Sequence, residues 1–117
     1  MANELSVQSG LSYSKGGDVD QISEAFSITV SGAARISGRQ TIGTTEEQLA
    51  LGDVSSLGVV WIKNLDATNY LTVGTVTSQR GFRINPGESY TFRAANNAVY
   101  CAANTAAVDV SYKVFSN

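Results

Sequence analysis

The residues able to do chemistry are few and far apart. Cys101 is the single thiol, histidine is absent, and ten carboxylates are spread along 117 residues. Without imidazole, Ser-His-Asp and Cys-His nucleophilic systems and most zinc sites are excluded together. Asp18 and Asp20 follow Gly16-Gly17 and offer oxygens to Ca²⁺, but a calcium loop brings more acidic ligands and a bidentate Glu at fixed distance. Glu46-Glu47 and Asp66 lie near turn signals, and their spacing pairs no two carboxylates as acid and base. Lys15-Gly16-Gly17 has the glycines of a phosphate cradle without the helix that must stand behind them. The expectation is a chain that is not an enzyme, with no catalytic residue, no cofactor and no metal.

The polar and aromatic residues suit contact better than reaction. Arg80, Arg83 and Arg93 flank one expected hairpin and would form a local basic patch. Aromatic residues make up 9% of the chain and mostly fall on inward slots of an alternation, where they pack a core; Tyr13 and Tyr100 are the ones whose placement is open, so they join the three arginines as candidate interface residues. The formal charge is −2, from 8 Lys and Arg against 10 Asp and Glu, and no basic run exists to release counterions from a duplex, so nucleic acid is not an expected partner. Residues 1 to 57 carry seven acids and three bases while residues 58 to 117 carry three acids and five bases, an asymmetry that would let one end of a copy complement the opposite end of another. A lone cysteine forms no intrachain disulfide and fits synthesis in a reducing cytoplasm, with Cys101 as a small buried hydrophobe. Met1-Ala2-Asn3-Glu4 has neither the basic start nor the apolar stretch of a signal peptide, and no run approaches 18 apolar residues, so no membrane partner is expected.

The elements that must position these residues are strands. Leu5-Ser6-Val7 and Leu11-Ser12-Tyr13 alternate apolar and polar, which predicts a half-buried strand interrupted near Gly10, and Lys15-Gly16-Gly17-Asp18 turns the chain into Phe26–Val30. Arg35 to Ile42 reads as a strand with Ile36, Gln40 and Ile42 on one face and a bulge at Gly38. Thr44–Leu51 has a helix-capping pattern that Gly52 stops too soon, so a strand with Leu49 and Leu51 inward is expected. Val59-Val60-Trp61-Ile62 is a continuous apolar run, predicting a central strand covered on both sides, and Asn64–Asn69 turns it into Tyr70–Gly74 as a hairpin. Asn85-Pro86-Gly87-Glu88 is a type II turn signal that would pair Gly81–Ile84 with Ser89–Arg93. Val99–Ala102 is a short strand, and Val108–Phe115 alternates cleanly.

The count is about nine or ten short strands in a single domain spanning 1–117, an all-β antiparallel β-sandwich. Its core would take Phe26, Ile28, Val30, Leu49, Leu51, Trp61, Leu71, Phe82, Ile84, Tyr90, Phe92, Val108, Val110 and Tyr112. The pattern leaves the strand order open. A charged fraction of 15% leaves Ser, Thr, Asn and Gly to face water, and one proline with few lysines leaves edge strands little protection against pairing. A homo-oligomer that covers those edges is the natural reading.

Three segments carry a resemblance. Leu57-Gly58-Val59-Val60-Trp61-Ile62-Lys63-Asn64-Leu65-Asp66, then Asn69-Tyr70-Leu71-Thr72-Val73-Gly74, then Arg83-Ile84-Asn85-Pro86-Gly87-Glu88 resemble small virion structural proteins of tailed bacteriophages, as do Ser9–Gly17, Gln40-Thr41-Ile42-Gly43 and the strand after Asn104-Thr105-Ala106-Ala107. The resemblance implies a β-sandwich or jelly-roll subunit of a virion, made in the host cytoplasm, with no catalytic residues. Its implied partners are further copies of itself and the major capsid protein or other virion proteins, as a capsid decoration or cement subunit would have. A tail, neck or fibre component fits the same resemblance, and exposed Tyr and Arg would also serve a carbohydrate-binding or adhesion module.

Overall fold

The computed structural model describes residues 3–117 and is all-β, with ten strands and antiparallel pairing throughout. Met1 and Ala2, where the reading of the N-terminus begins, lie outside the described residues. Contacts divide the chain into two units, 1–31 and 32–117.

The first unit is one long hairpin of β1 (Leu5–Lys15) and β2 (Asp18–Ile28), paired over all eleven residues of each strand. Gly16 and Gly17 both take positive φ, 58° and 86°, the combination a two-residue hairpin turn requires for the twist of its strands. Gly10 does not interrupt β1; it pairs with Ser23 in unbroken register. The expected half-burial is also corrected, since most of both strands is exposed and Phe26, assigned to the core by its alternation, is 52% exposed.

The second unit contains β3 (Arg35–Ile42), β4 (Glu47–Gln48), β5 (Leu57–Asn64), β6 (Leu71–Gly74), β7 (Phe82–Ile84), β8 (Ser89–Arg93), β9 (Tyr100–Ala103) and β10 (Val108–Ser116). They form two four-stranded sheets, β3-β10-β5-β8 and β4-β9-β6-β7. β3 pairs with β10, β4 with β9, β5 with β8 and β6 with β7. That nesting is one long antiparallel ribbon, bent at three corners so that successive pairs fall in alternate sheets, and it is the jelly-roll order. Further ladders β10–β5 and β9–β6 close each sheet.

Between the sheets lie Ile42, Val60, Ile62, Leu71, Val73, Ile84, Cys101, Val108, Val110 and Val114, all buried. Burial of each large aliphatic side chain is worth about 1.5–3 kcal/mol. The continuous run of β5 is central, as expected, between β10 and β8. Its alternation still divides it: Val60 and Ile62 point to the core, while Trp61 shares the outer face with its ladder partners Lys113 and Thr91 and is only half-buried. The inward placement of Trp61 is therefore corrected, and Phe82, also assigned to the core, is 54% exposed at the end of β7. β3 runs without a bulge at Gly38; the irregularity falls in β10, between Val114 and Ser116.

Both expected hairpins of the second half are corners. β5 and β6 lie in different sheets, as do β7 and β8, although Asn85–Glu88 does form the type II turn, with Gly87 at φ 80° and Glu88 N–H donating to the Asn85 carbonyl at 3.0 Å. Asn64, fully buried, holds the two corners together. Its amide Nδ2 donates to the carbonyls of Asn69 (2.9 Å) and Ile84 (3.0 Å), and its Oδ1 accepts from Asp66 N–H (2.8 Å). Its backbone N–H donates to the Glu88 carbonyl at 3.0 Å and its carbonyl accepts from Gly87 N–H at 3.1 Å. Replacing the side chain would strand two carbonyls and one N–H inside the corner, each costing about 1–3 kcal/mol. Asn64→Ala is expected to lower unfolding free energy by about 3 kcal/mol or more in urea titration; a loss below about 0.5 kcal/mol, the ordinary surface value, contradicts this account of the corner.

Candidate functional site

The five residues singled out as interface candidates separate. By register, Arg83 and Tyr100 share the outer face of β4-β9-β6-β7, since Thr72 pairs with both Arg83 and Ala102. Arg80 joins them there: its Nε donates to Thr72 Oγ1 at 3.0 Å, and its guanidinium forms an ion pair with Glu46. Glu46 in turn accepts from Ser78 N–H at 2.8 Å, so Arg80 and Glu46 fasten the loop between β6 and β7. The Arg83 guanidinium lies 3.7 Å over the Tyr70 ring and bonds Asn85 Oδ1 at 2.7 Å. Both arginines are thus engaged within the fold. Arg93 is on the other sheet, opposite Val59 on its outer face, so the single basic patch expected of the three arginines does not form. Tyr13 belongs to the hairpin unit, opposite Asp20, and is half exposed.

The acids act as local caps. Glu46 and Glu47 turn to different partners: Glu47 accepts from Gln40 Nε2 (3.1 Å) and Gly43 N–H (3.0 Å). Asp66 accepts from Asn69 N–H at 2.6 Å and Thr68 N–H at 2.9 Å, and these two bonds hold its carboxyl below the usual carboxylate range. Among the described residues, no group of three or more Cys, Asp or Glu gathers as metal ligands would. Phe82, Tyr90 and Phe92 form an aromatic row along the β7–β8 side, with centroids 4.9 and 4.8 Å apart.

Two surfaces emerge that composition does not show. The outer face of β3-β10-β5-β8 carries Arg35 and Arg39 on β3, Lys113 on β10, Lys63 on β5 and Arg93 on β8, which is five of the chain's eight bases. Asp109 is the acid of that face, bound to Thr41 Oγ1 at 2.6 Å. Among the described residues none of the five bases is paired to a carboxylate; Lys113 Nζ donates to Ser37 Oγ at 2.7 Å. Trp61, Val59 and Phe115 run through the middle of these charges. Four of the bases, Arg35, Arg39, Lys63 and Lys113, are missed when bases are sought as neighbours in sequence. The signal for Arg35, Arg39 and Lys113 is parity, because each occupies the polar phase of its own strand, whereas Lys63 shares its phase with Val59 and Trp61.

The hairpin is divided with similar regularity. Leu5, Val7, Leu11 and Tyr13 of β1 lie opposite Ile28, Phe26, Ile22 and Asp20 of β2, so seven apolar or aromatic residues share one face with Asp18, Asp20 and Glu24. The other face is Ser6, Gln8, Gly10, Ser12 and Ser14 against Ser27, Ala25, Ser23, Gln21 and Val19. Leu11 is 75% exposed, and Ile22 is 54% exposed.

Cys101 is buried, and burial pushes its thiol up to about 12, with the Glu47 carboxylate adding to the effect and Arg80 opposing it. The folded thiol therefore stays protonated where an unfolded one ionises, above about pH 8.5, and this contribution to stability is lost as pH rises through that value toward 12. At pH 8 the native protein should fail to react with a thiol reagent such as dithionitrobenzoate and should react fully in denaturant; rapid labelling of the native protein would refute the burial. No known protein family, curated protein or solved structure matches this chain.

Proposed function

We propose that the protein is a non-enzymatic structural subunit of a tailed-phage virion, a head decoration or cement protein that associates with itself and with the major capsid protein. The sequence resemblance in Leu57–Asp66, Asn69–Gly74 and Arg83–Glu88 supports it, and these segments build the paired corners around Asn64 in a jelly roll. The observation that carries the contact role is the uncovered apolar face of the hairpin. Leu11, Tyr13 and Ile22 stand exposed together on one side of a two-stranded sheet, with Phe26 exposed on the same side beyond the Ser9–Glu24 pair, and exposed apolar residues gathered on one face mark an interaction surface. Contacts repeated over a particle surface need little individual strength, since simultaneous engagement multiplies their effect.

Purified protein mixed with heads stripped of their accessory proteins should co-sediment and saturate at a fixed ratio to capsid subunits. Labelled protein found on tails and absent from heads would replace the decoration reading with a tail or neck one. Protein that ignores whole particles would reject both.

A further inference from the structure

We propose that the hairpin of one copy lays its apolar, acidic face across the basic outer face of β3-β10-β5-β8 in a second copy. This contact gives the self-association proposed above its geometry and rests on it, but does not depend on where in a virion the protein sits.

The hairpin supplies the first reason. A two-stranded hairpin alone in water is marginal, and a third strand or a packed layer is needed to hold it. Among the described residues β1 and β2 pair only with each other, yet Leu5, Val7, Leu11, Tyr13, Ile22, Phe26 and Ile28 are sorted onto one face. Such sorting has a physical use only if that face meets a second layer.

Charge selects which layer. Two hairpins meeting through these faces would bring Asp18, Asp20 and Glu24 of each against the same acids of the other, with one base, Lys15, to offset them. The outer face of β3-β10-β5-β8 presents the complement: Arg35, Arg39, Lys63, Arg93 and Lys113 around the partly exposed rings of Trp61 and Phe115, with Val59 buried beneath them in the same phase. An apolar stripe edged by acids on one side meets an apolar stripe edged by bases on the other. An eleven-residue strand spans about 35 Å, longer than the about 19 Å width of a four-stranded sheet and its strands of about 25 Å, so the hairpin is long enough to cross the whole face. The formal charge of the whole chain is −2, so the bases do not make the molecule a general polyanion binder.

The test uses the full chain and light scattering coupled to size exclusion, with Trp61 fluorescence as a second readout. Wild type at about 100 µM should elute as a multiple of 12.3 kDa, and association should weaken between about 0.05 and 0.5 M NaCl as screening shortens the reach of the charges. Asp20→Lys with Glu24→Lys, and separately Arg39→Glu with Lys113→Glu, should each weaken association by about tenfold or more. All four substitutions in one chain should restore it, with Trp61 emission shifting to the blue on association in both competent forms. Circular dichroism shows whether each variant keeps its strand content, and the four-substitution rescue keeps the result readable if one pair of changes costs stability. A monomeric wild type refutes both this contact and self-association. An oligomer whose affinity ignores the reversals refutes this contact and leaves self-association standing. Duplex DNA bound by wild type at about 0.15 M salt and released by Arg39→Glu with Lys113→Glu would assign the basic face to nucleic acid instead.

Discussion

The sandwich depends on how a single ribbon turns from one sheet to the other, and Asn64 is where that turn is enforced. A corner leaves backbone groups with no ladder partner, and at this one they are also buried. The Asn64 amide answers three of them and its own backbone answers two more, so β5–β6 and β7–β8 bend at the same place. An aliphatic residue of similar size would fill the space and leave the carbonyls of Asn69 and Ile84 unanswered. The cost of an unmet buried polar group exceeds the gain from a met one, which makes the position intolerant. Asp66, two residues on, continues the same work by capping Thr68 and Asn69.

The remaining openings of the sandwich are closed by different chemistry on each side. Beside β3 and β4, Gln40 donates to Glu47 and to the Gln48 carbonyl and accepts from Ala50 N–H, a polar clasp that ties strands of opposite sheets. Beside β7 and β8, where no such clasp exists among the described residues, the rings of Tyr90 and Phe92, stacked on each other, and of Phe82, tilted against Tyr90, fill the gap. Tyr112 adds a cross-link from β10, its hydroxyl donating to the Ala50 carbonyl at 2.7 Å. Each closure uses a residue whose side chain is long enough to span the layers, so the aliphatic core between them can stay entirely apolar.

Strand content, turn positions and the antiparallel β-sandwich class were legible because alternation and turn chemistry are local. Pairing was not. Asn64–Asn69 and Asn85–Glu88 announce that the chain changes direction, but the same residues serve a hairpin and a corner, and only the global order decides between them. Trp61 was misplaced for a related reason: a run of four apolar residues hides which phase faces out. Phe26 and Phe82 occupy the apolar phase of their strands, and alternation reports a face without reporting what covers it. Of the interface candidates, Tyr13 lies on the apolar face of the hairpin and Arg93 on the basic outer face of β3-β10-β5-β8, whereas Arg80 and Arg83 are occupied by Glu46, Thr72, Tyr70 and Asn85. The basic face is not legible in the sequence, because its members are distant along the chain and are neighbours only once β10 lies between β3 and β5.

That position of β10 bears on the order in which the molecule can be built. β3 and β5 touch no common ladder until residues 108–116 slot between them, and Thr41 must find Asp109 across 68 residues. The innermost pair, β6 and β7, needs only the short reversal closed by Val76 and Gln79. Zipping can therefore start at the middle of the ribbon and spread outward, but one entire layer waits for its last-made strand. During synthesis the nascent sandwich would stay incomplete, with apolar strand faces open to chaperones, until that segment has cleared the ribosome.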